Sequence, residues 1–159
     1  MAGRKSPVIA VVGAGKCSKK LRDMAGEVGK YVAEHGGVLI CGGMSGVMEG
    51  AARGAKEAGG TTIGVLPTES KDDANEFIDY VIATGLGDAR NMIVVRSADA
   101  VVALPGKYGT LTEMAFALLA GVPVVSVSAW KLGEEVEQFD DPVKAAKAAM
   151  DLAAKNLKK

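Results

Sequence analysis

Residues 98–127, ADAVVALPGKYGTLTEMAFALLAGVPVVSV, decide the fold. A valine-rich apolar run (98–106) is followed by a helix-compatible segment (108–120) and then by a second valine-rich run (122–127). Apolar runs that do not alternate with polar residues are typical of strands covered on both faces of a sheet. The stretch therefore predicts a strand–helix–strand unit whose two strands lie parallel in a buried sheet.

The same alternation extends along the rest of the chain. Further predicted strands are the apolar runs 8–13, 37–43, 61–67 and 77–84. Further predicted helices are 18–34, 45–58, 86–97 and 141–157. Residues 67–76 resemble a polar loop, and residues 128–140 a long connection with partial structure. Because no linker or low-complexity stretch divides the chain, we predict a single α/β domain over residues 1–159, with a doubly wound parallel sheet.

The charges of the chain balance. Lys and Arg total 19 and Asp and Glu total 19, so the formal net charge is zero. A nucleic-acid-binding protein usually has a basic surplus, because neutralisation of phosphates dominates its affinity. We therefore expect no nucleic-acid partner.

The cysteines and the apolar runs exclude further classes of protein. Cys17 and Cys41 have neither metal-ligand spacing nor the density of a disulfide scaffold, and His35 is the only histidine, so no metal site is expected. The N-terminal apolar run, residues 7–12, is too short for a signal-peptide core, and no run approaches the length of a membrane span. The sequence predicts a reduced, soluble, cytoplasmic domain with no membrane partner.

Loops that follow the strands are the candidate sites, because ligands of such sheets bind at the carboxyl ends of the strands. The first, GAGKCS (13–18), contains Gly13 and Gly15. It is not a P-loop, because Lys16 is followed by Cys17 rather than by a hydroxyl residue. It is either a turn that admits an anion at a helix start or a turn without a ligand.

The second candidate loop is CGGMSGVMEG (41–50). Its paired glycines, Gly42 and Gly43, let the backbone approach a ligand closely, and Ser45 beside Gly46 is placed to cap the following helix. Such a helix start presents free N–H groups to a phosphate. A dinucleotide site is not indicated, because no acidic residue follows the second strand to hold a ribose.

The third candidate loop places Asp88, Arg90 and Asn91 at the start of the predicted helix 86–97. A cation stabilises the C-terminal end of a helix rather than its start, so the helix itself does not explain Arg90. Arg90 either forms a surface salt bridge with Asp88 or faces a ligand.

The fourth candidate loop lies within the opening stretch. Pro105 and Gly106 end the strand, Gly109 permits an unusual turn, and Thr110 is placed to cap the following helix. Glu113 lies three residues after Thr110, which is the spacing of a capping box. The same spacing directs the carboxylate toward any ligand at the strand end.

The last three loops together resemble the LOG-like family, often labelled "possible lysine decarboxylase", among the Rossmann-like nucleotide-binding proteins. The resemblance spans about residues 8–127 and rests on GGMSGVMEGAARGAKEAGG (42–60), ARN (89–91) and PGKYGTLTE (105–113). It is closest to the short branch that includes molybdenum cofactor carrier proteins. It implies a Rossmann-like subunit that forms homodimers or larger homo-oligomers through its helices. The apolar segment MAFALLAG (114–121) predicts a buried helix or such a subunit contact.

An activity and a set of site residues also follow from the resemblance. LOG enzymes hydrolyse the N-glycosidic bond of nucleoside 5′-monophosphates to the free base and ribose 5-phosphate. Arg90 and Glu113 match the arginine and the glutamate of the family's motifs. Gly106, Gly109 and Thr110 match its phosphate-facing loop.

Two positions depart from the family's pattern. The lysine that follows the motif arginine is Asn91 here, and the second glycine of the phosphate loop is Lys107. A side chain at Lys107 either crowds the approach of the backbone to phosphate or adds a charge that supplements it. Both departures argue against LOG-type hydrolysis more than against phosphate binding.

Two functions remain open, both with a phosphate-bearing small molecule as ligand. In a phosphoribohydrolase, Glu113 would be catalytic, stabilising an oxocarbenium-like transition state or deprotonating a water, and Arg90 would position Glu113 or hold phosphate. In a carrier or sensor, a phosphorylated ligand such as molybdenum cofactor would be held without cleavage. The retained Arg90 and Glu113 favour the enzyme, and the two departures favour the carrier. We predict the phosphoribohydrolase, with the carrier or sensor as the alternative.

Both functions use the same predicted ligand-binding residues. These are Gly13, Gly15, Gly42, Gly43, Ser45, Gly46, Asn91, Pro105, Gly106, Lys107, Gly109 and Thr110. No resident cofactor is predicted. Lysine decarboxylation is rejected, because no Schiff-base lysine with a partner for a pyridine nitrogen is identifiable.

Overall fold

In the computed structural model, which describes residues 6–157, the chain forms a seven-stranded sheet and five α-helices. The strands are β1 (Val8–Val12), β2 (Val38–Cys41), β3 (Thr61–Leu66), β4 (Tyr80–Ala83), β5 (Ala100–Ala103), β6 (Val124–Val127) and β7 (Glu137–Phe139). The helices are α1 (Lys19–Glu34), α2 (Val47–Glu57), α3 (Arg90–Arg96), α4 (Tyr108–Leu119) and α5 (Pro142–Leu157). Short 3-10 turns lie at Lys71–Asp73 and Gly87–Ala89.

Each pair of neighbouring strands is parallel, in the order β4-β3-β2-β1-β5-β6-β7. The central strand β1 pairs with β2 and β5, so that Ile9 lies opposite Leu39 on one side and Ala100 on the other. Helices cover both faces of this strand, which explains why its sequence VIAVV is apolar without alternation. The predicted doubly wound parallel sheet is confirmed.

The helices divide between the two faces of the sheet. On one face α1, α2 and α5 pack over Ile9 and Val11 of β1. On the other, α3 and α4 pack over Ala10 and Val12. Successive side chains of a strand point to opposite faces, so one short strand contributes to both halves of the core. Within residues 6–157, no helix has the length and apolar character needed to cross a membrane.

The strand order reverses between β1 and β5. From β1 the chain continues through α1 to β2 on one side, and from β5 it continues through α4 to β6 on the other. Where the order reverses, the connections diverge and leave a crevice at the carboxyl ends of the two strands. The loops that follow β1 and β5 therefore border the expected ligand site.

Some boundaries differ from the prediction. β4 begins at Tyr80 rather than at residue 77, because the preceding residues form a turn in which the Thr62 hydroxyl donates to the Phe77 carbonyl (2.6 Å) and accepts from the Asp79 N–H (2.9 Å). The connection 128–140 contains β7, a short edge strand that no apolar run in the sequence indicates.

The apolar helix α4 is buried on one side only, since Leu119 is 84% exposed. A subunit contact there stays a prediction.

Candidate functional site

A cavity of about 370 Å³ opens at the carboxyl ends of β1 and β5, where the strand order reverses. This volume lies within the usual range of small-molecule sites. Eight of the residues predicted from the sequence line it: Gly13, Gly15, Arg90, Asn91, Lys107, Gly109, Thr110 and Glu113. The fold thus brings the first, third and fourth candidate loops together around one space, to which the second loop adds only Met48.

Arg90 and Glu113 face each other in this cavity. Arg90 is the first residue of α3, and Glu113 lies in the second turn of α4. Their side chains are about nine-tenths buried, and Nη1 of Arg90 lies 4.0 Å from Oε1 of Glu113. Nε of Arg90 is buried and has no hydrogen-bond partner. The surface salt bridge with Asp88 is therefore not what holds Arg90.

Burial controls the protonation of Glu113. Loss of solvent raises the pKa of this carboxyl from its ordinary 4.5 to about 8, against the opposing effect of the Arg90 charge. At neutral pH the group is therefore mainly the neutral acid. The lining then carries three basic side chains, those of Arg90, Lys16 and Lys107, against the acidic Asp88, which favours an anionic ligand.

Asn91 connects Arg90 to the start of α4. Nη1 of Arg90 donates to Oδ1 of Asn91. Nδ2 of Asn91 donates to the Thr112 hydroxyl (3.2 Å), which in turn donates to the Gly109 carbonyl (2.6 Å). The amide therefore uses both of its ends inside the protein.

The start of α4 differs from the predicted capping box. The helix begins at Tyr108 with Lys107 as its N-cap, so Thr110 lies within the first turn and does not cap it. Thr110 and Glu113 are both buried, and the carboxyl of Glu113 faces Arg90. The predicted capping box is wrong because the helix starts three residues earlier than a cap at Thr110 would place it.

Gly106 and Pro105 join the fourth loop to the first. The Pro105 carbonyl accepts a hydrogen bond from the Ala14 N–H at 3.0 Å. A Cβ atom on Gly106 would lie 2.0 Å from the Thr110 hydroxyl oxygen and 3.0 Å from the Ala14 nitrogen. A glycine is needed here because two loops and a helix start meet in this space. Pro105 and Gly106 support the cavity without lining it.

Lys107 stands at the rim of the cavity. Its side chain is exposed and its carbonyl accepts a hydrogen bond from the Trp130 indole N–H at 3.1 Å. The cavity keeps its volume with this side chain among its lining residues. Lys107 therefore adds a positive charge to the opening and does not close it.

The second candidate loop has a supporting position. α2 begins at Val47 with Gly46 as N-cap, so the predicted cap by Ser45 is wrong. The Ser45 hydroxyl instead donates to the Gly15 carbonyl at 2.6 Å, because the positive φ of Gly46 (71°) brings the loop against residues 14–15. Gly42 and Gly43 are buried and, like Ser45 and Gly46, are not among the lining residues.

Five lining residues were not predicted as ligand contacts: Val12, Ala14, Lys16, Met48 and Asp88. The signal for Lys16 was its place in a glycine-rich loop after the first strand. The neighbouring strand that makes this loop a site, β5, is distant in sequence.

Among residues 6–157, no group of three or more His, Cys, Asp or Glu side chains is arranged to hold a metal ion.

An all-parallel doubly wound sheet with a glycine-rich cavity where its strand order reverses defines the chain as a Rossmann-like α/β protein. The family model of the SLOG cluster4 family matches residues 6–155, and the chain belongs to this LOG-like family. An uncharacterized protein of Archaeoglobus fulgidus is 42% identical over 147 residues, which are 92% of this chain and 97% of that protein.

Two further relatives are named for a function. The cytokinin riboside 5′-monophosphate phosphoribohydrolase of Mycobacterium tuberculosis is 33% identical over 70% of this chain, which spans only 64% of the enzyme. The solved structure of the molybdenum cofactor carrier protein from Chlamydomonas reinhardtii is 39% identical, with a TM-score of 0.85 over 94% of this chain and 99% of the carrier. The likeness to the carrier thus covers both chains almost completely.

Proposed function

We propose that the protein binds a phosphate-bearing small molecule in the cavity beside Arg90. The observation that carries the proposal is the buried guanidinium of Arg90, whose nearest carboxyl, Glu113, is mainly neutral at pH 7. A buried cation without a compensating anion favours a ligand that supplies the negative charge. Planar guanidinium donors also match the geometry of phosphate oxygens.

The loops around the cavity support phosphate as that anion. The N–H groups of the first turn of α4, at Tyr108 to Thr110, have no acceptor within their own helix, and the helix dipole adds positive charge there. Lys16 and Lys107 extend that charge to the opening. An anion at this helix start would have backbone donors on one side and Arg90 on the other.

Within that class, we propose that the ligand is held without being cleaved, as by a carrier of a phosphorylated pterin such as molybdenum cofactor. The nearly complete likeness to a molybdenum cofactor carrier protein supports this role. So does Asn91, which stands where the hydrolases of the family have a lysine.

Hydrolysis of a nucleoside 5′-monophosphate is the second candidate. It is favoured by the 4.0 Å approach of Arg90 to Glu113 inside a cavity, since perturbed carboxyls in clefts are frequent in catalytic sites. The likeness to the phosphoribohydrolase of M. tuberculosis supports it over part of the chain. Here Glu113 would act in its ionised form, and the rate would rise with pH toward 8.

One pair of measurements separates the two functions. The purified protein is incubated with AMP at pH 7 and pH 8.5, and free adenine is measured alongside the shift in melting temperature. Stabilisation without adenine supports a carrier, because a ligand that binds only the folded state raises its apparent stability. Adenine release that disappears in Glu113→Gln supports the hydrolase. The proposed binding would be contradicted if AMP, inorganic phosphate and molybdenum cofactor all failed to stabilise the protein and no adenine were released.

We also propose that the protein forms homodimers or larger homo-oligomers. The exposed apolar residues Tyr108 and Leu119 of α4, which are 77% and 84% exposed, support this association. Size-exclusion chromatography with light scattering measures the molecular mass directly. A monomer at micromolar concentration would contradict the proposal.

A further inference from the structure

We propose that Asn91 is a positioning residue that holds the guanidinium of Arg90 in register with the first turn of α4, so that one phosphate contacts both. This inference rests on the proposed phosphate binding and adds to it the residue that joins the two halves of the binding site. The two halves belong to different connections of the sheet, α3 after β4 and α4 after β5. They need a direct link to keep a common geometry.

The first link of this connection is at Arg90. Its guanidinium has little freedom, because Gly42 lies so close that a Cβ atom there would come within 2.5 Å of Nη2. Nη1 donates to Oδ1 of Asn91. Gly42 and Asn91 thus confine the guanidinium from two sides, while Nε remains without a partner.

The second link runs from Asn91 to α4. Nδ2 of Asn91 donates to the Thr112 hydroxyl at 3.2 Å, and this hydroxyl donates to the Gly109 carbonyl at 2.6 Å. Gly109 lies in the first turn of α4 and lines the cavity. The hydrogen bonds therefore run without interruption from the guanidinium to the backbone that borders the cavity.

The side-chain amide of Asn91 satisfies both links. Oδ1 must accept from a guanidinium and Nδ2 must donate to a hydroxyl, and an amide carries one acceptor and one donor group at its tip. An aspartate would accept from Arg90 but could not donate to Thr112. A lysine could donate to Thr112 but could not accept from Arg90, and its charge would repel the guanidinium. The amide also adds no charge, so Arg90 stays available to an anionic ligand.

The test measures the affinity of the full chain for inorganic phosphate and for AMP by isothermal titration calorimetry at constant pH and salt. We expect Asn91→Ala to weaken binding about tenfold, in line with the loss of one hydrogen bond to a charged group. Thr112→Val, at an exposed position, should weaken it about threefold. Because both changes break one chain of contacts, the double variant should bind no more weakly than Asn91→Ala alone. Thr112→Ser should recover the loss seen in Thr112→Val.

Asn75→Ala is the matched control. The Asn75 amide donates to the Gly43 and Met44 carbonyls, at 3.2 and 2.7 Å, and is not among the lining residues of the cavity. This variant should lose stability and keep its affinity for phosphate, which separates a loss of positioning from a general loss of stability.

The possible outcomes are distinct. If the parent binds phosphate or AMP and Asn91→Ala binds equally well, this inference is overturned and the proposed function is left intact. Additive losses in the double variant also overturn it. Parent protein that binds neither probe overturns this inference, and the proposed function is overturned with it only if molybdenum cofactor does not stabilise the protein either. If Asn91→Ala does not fold, the Thr112→Val and Thr112→Ser variants test the inference. An unchanged affinity for phosphate in Thr112→Val would contradict the proposed link between Asn91 and α4.

Discussion

The two glycine-rich turns after β2 and β5 have similar sequences and opposite surroundings. Each contains a glycine at the strand end, a hydroxyl residue and the start of a helix. The turn at 105–110 contributes Lys107, Gly109 and Thr110 to the lining of the cavity. The turn at 41–47 contributes none, and neighbouring groups of the protein fill the space that its glycines leave, as they do at Gly106. A glycine-rich turn thus indicates that another group lies close to the backbone, but it does not show whether that group belongs to a ligand or to the protein itself.

The largest expected effect contrasts one glycine from each turn. Gly46 has a φ of 71°, and a Cβ atom there would lie 2.3 Å from the Ala14 carbonyl oxygen. We expect Gly46→Ala to lower the free energy of unfolding by about 2–4 kcal/mol. At Gly109 the nearest atom to a Cβ would be Nδ2 of Asn91 at 3.9 Å, so Gly109→Ala should preserve the fold or stabilise it by about 0.5–1 kcal/mol.

Urea denaturation of these two variants checks the contrast. Gly15→Ala serves as a control, since a Cβ atom there would meet only Met48 Cε, at 3.9 Å. Equal losses of stability in Gly46→Ala and Gly109→Ala would show that the two turns do not differ as described.

The second effect concerns the carboxylate that follows each turn. The raised pKa of Glu113, about 8 against an ordinary 4.5, means that the folded state keeps a proton that the unfolded state releases. This contribution to stability is complete below pH 4.5, falls as pH rises toward 8, and then levels off. Glu113→Gln removes this pH dependence, so the stability of the variant relative to the parent should rise by about 3 kcal/mol, or roughly 10 °C in Tm, between pH 5 and pH 8.

Thermal denaturation of parent and Glu113→Gln across this pH range makes the comparison. Glu49→Gln, in the first turn of α2 after the other glycine-rich turn, is the matched control for loss of a carboxylate. A constant difference in Tm between parent and Glu113→Gln at all pH values would contradict the raised pKa.

The third effect tests whether the turn at 41–47 acts on the cavity from outside it. Gly42 does not line the cavity, but a Cβ atom there would lie 2.5 Å from Nη2 of Arg90 and 2.6 Å from Sδ of Met48. We expect Gly42→Ala to displace the guanidinium and to weaken phosphate binding about tenfold. Calorimetric titration with inorganic phosphate measures the loss, and affinity equal to that of the parent would show that Arg90 does not need this space.

The smallest effect concerns Lys107, which replaces a glycine of the family's loop. Its exposed charge at the cavity rim should raise the affinity for phosphate only about two- to fivefold, because solvent and salt screen it. We expect Lys107→Ala to lose this factor at low salt and to match the parent at about 0.5 M salt. Lys144→Ala, on α5, controls for a change of net charge. Tighter binding by Lys107→Ala would mean that the side chain obstructs the site.

The order of the elements was predictable because it depends on local pattern. Runs such as VIAVV and AVVA can be buried on both faces only in a sheet covered by helices, and the segments between them are long enough for helices. β7 was missed because an edge strand with exposed residues needs no apolar run. The caps at Ser45 and Thr110 were misplaced because hydroxyl residues suit several positions near a helix start, and contacts with another loop decided between them.

By itself, the sequence determined the class of fold, the residues around Arg90 and Glu113 as candidates, and the likeness to the LOG-like family. Only the tertiary structure decided which of these residues share a space. Sheet pairing brings β1 beside β5, about ninety residues away in the chain, and the loops after these strands meet for that reason alone. Burial, which depends on the same packing, decided the protonation of Glu113. A sequence lists the groups, but their distances and their exposure to solvent arise only when the sheet and its helices close around them.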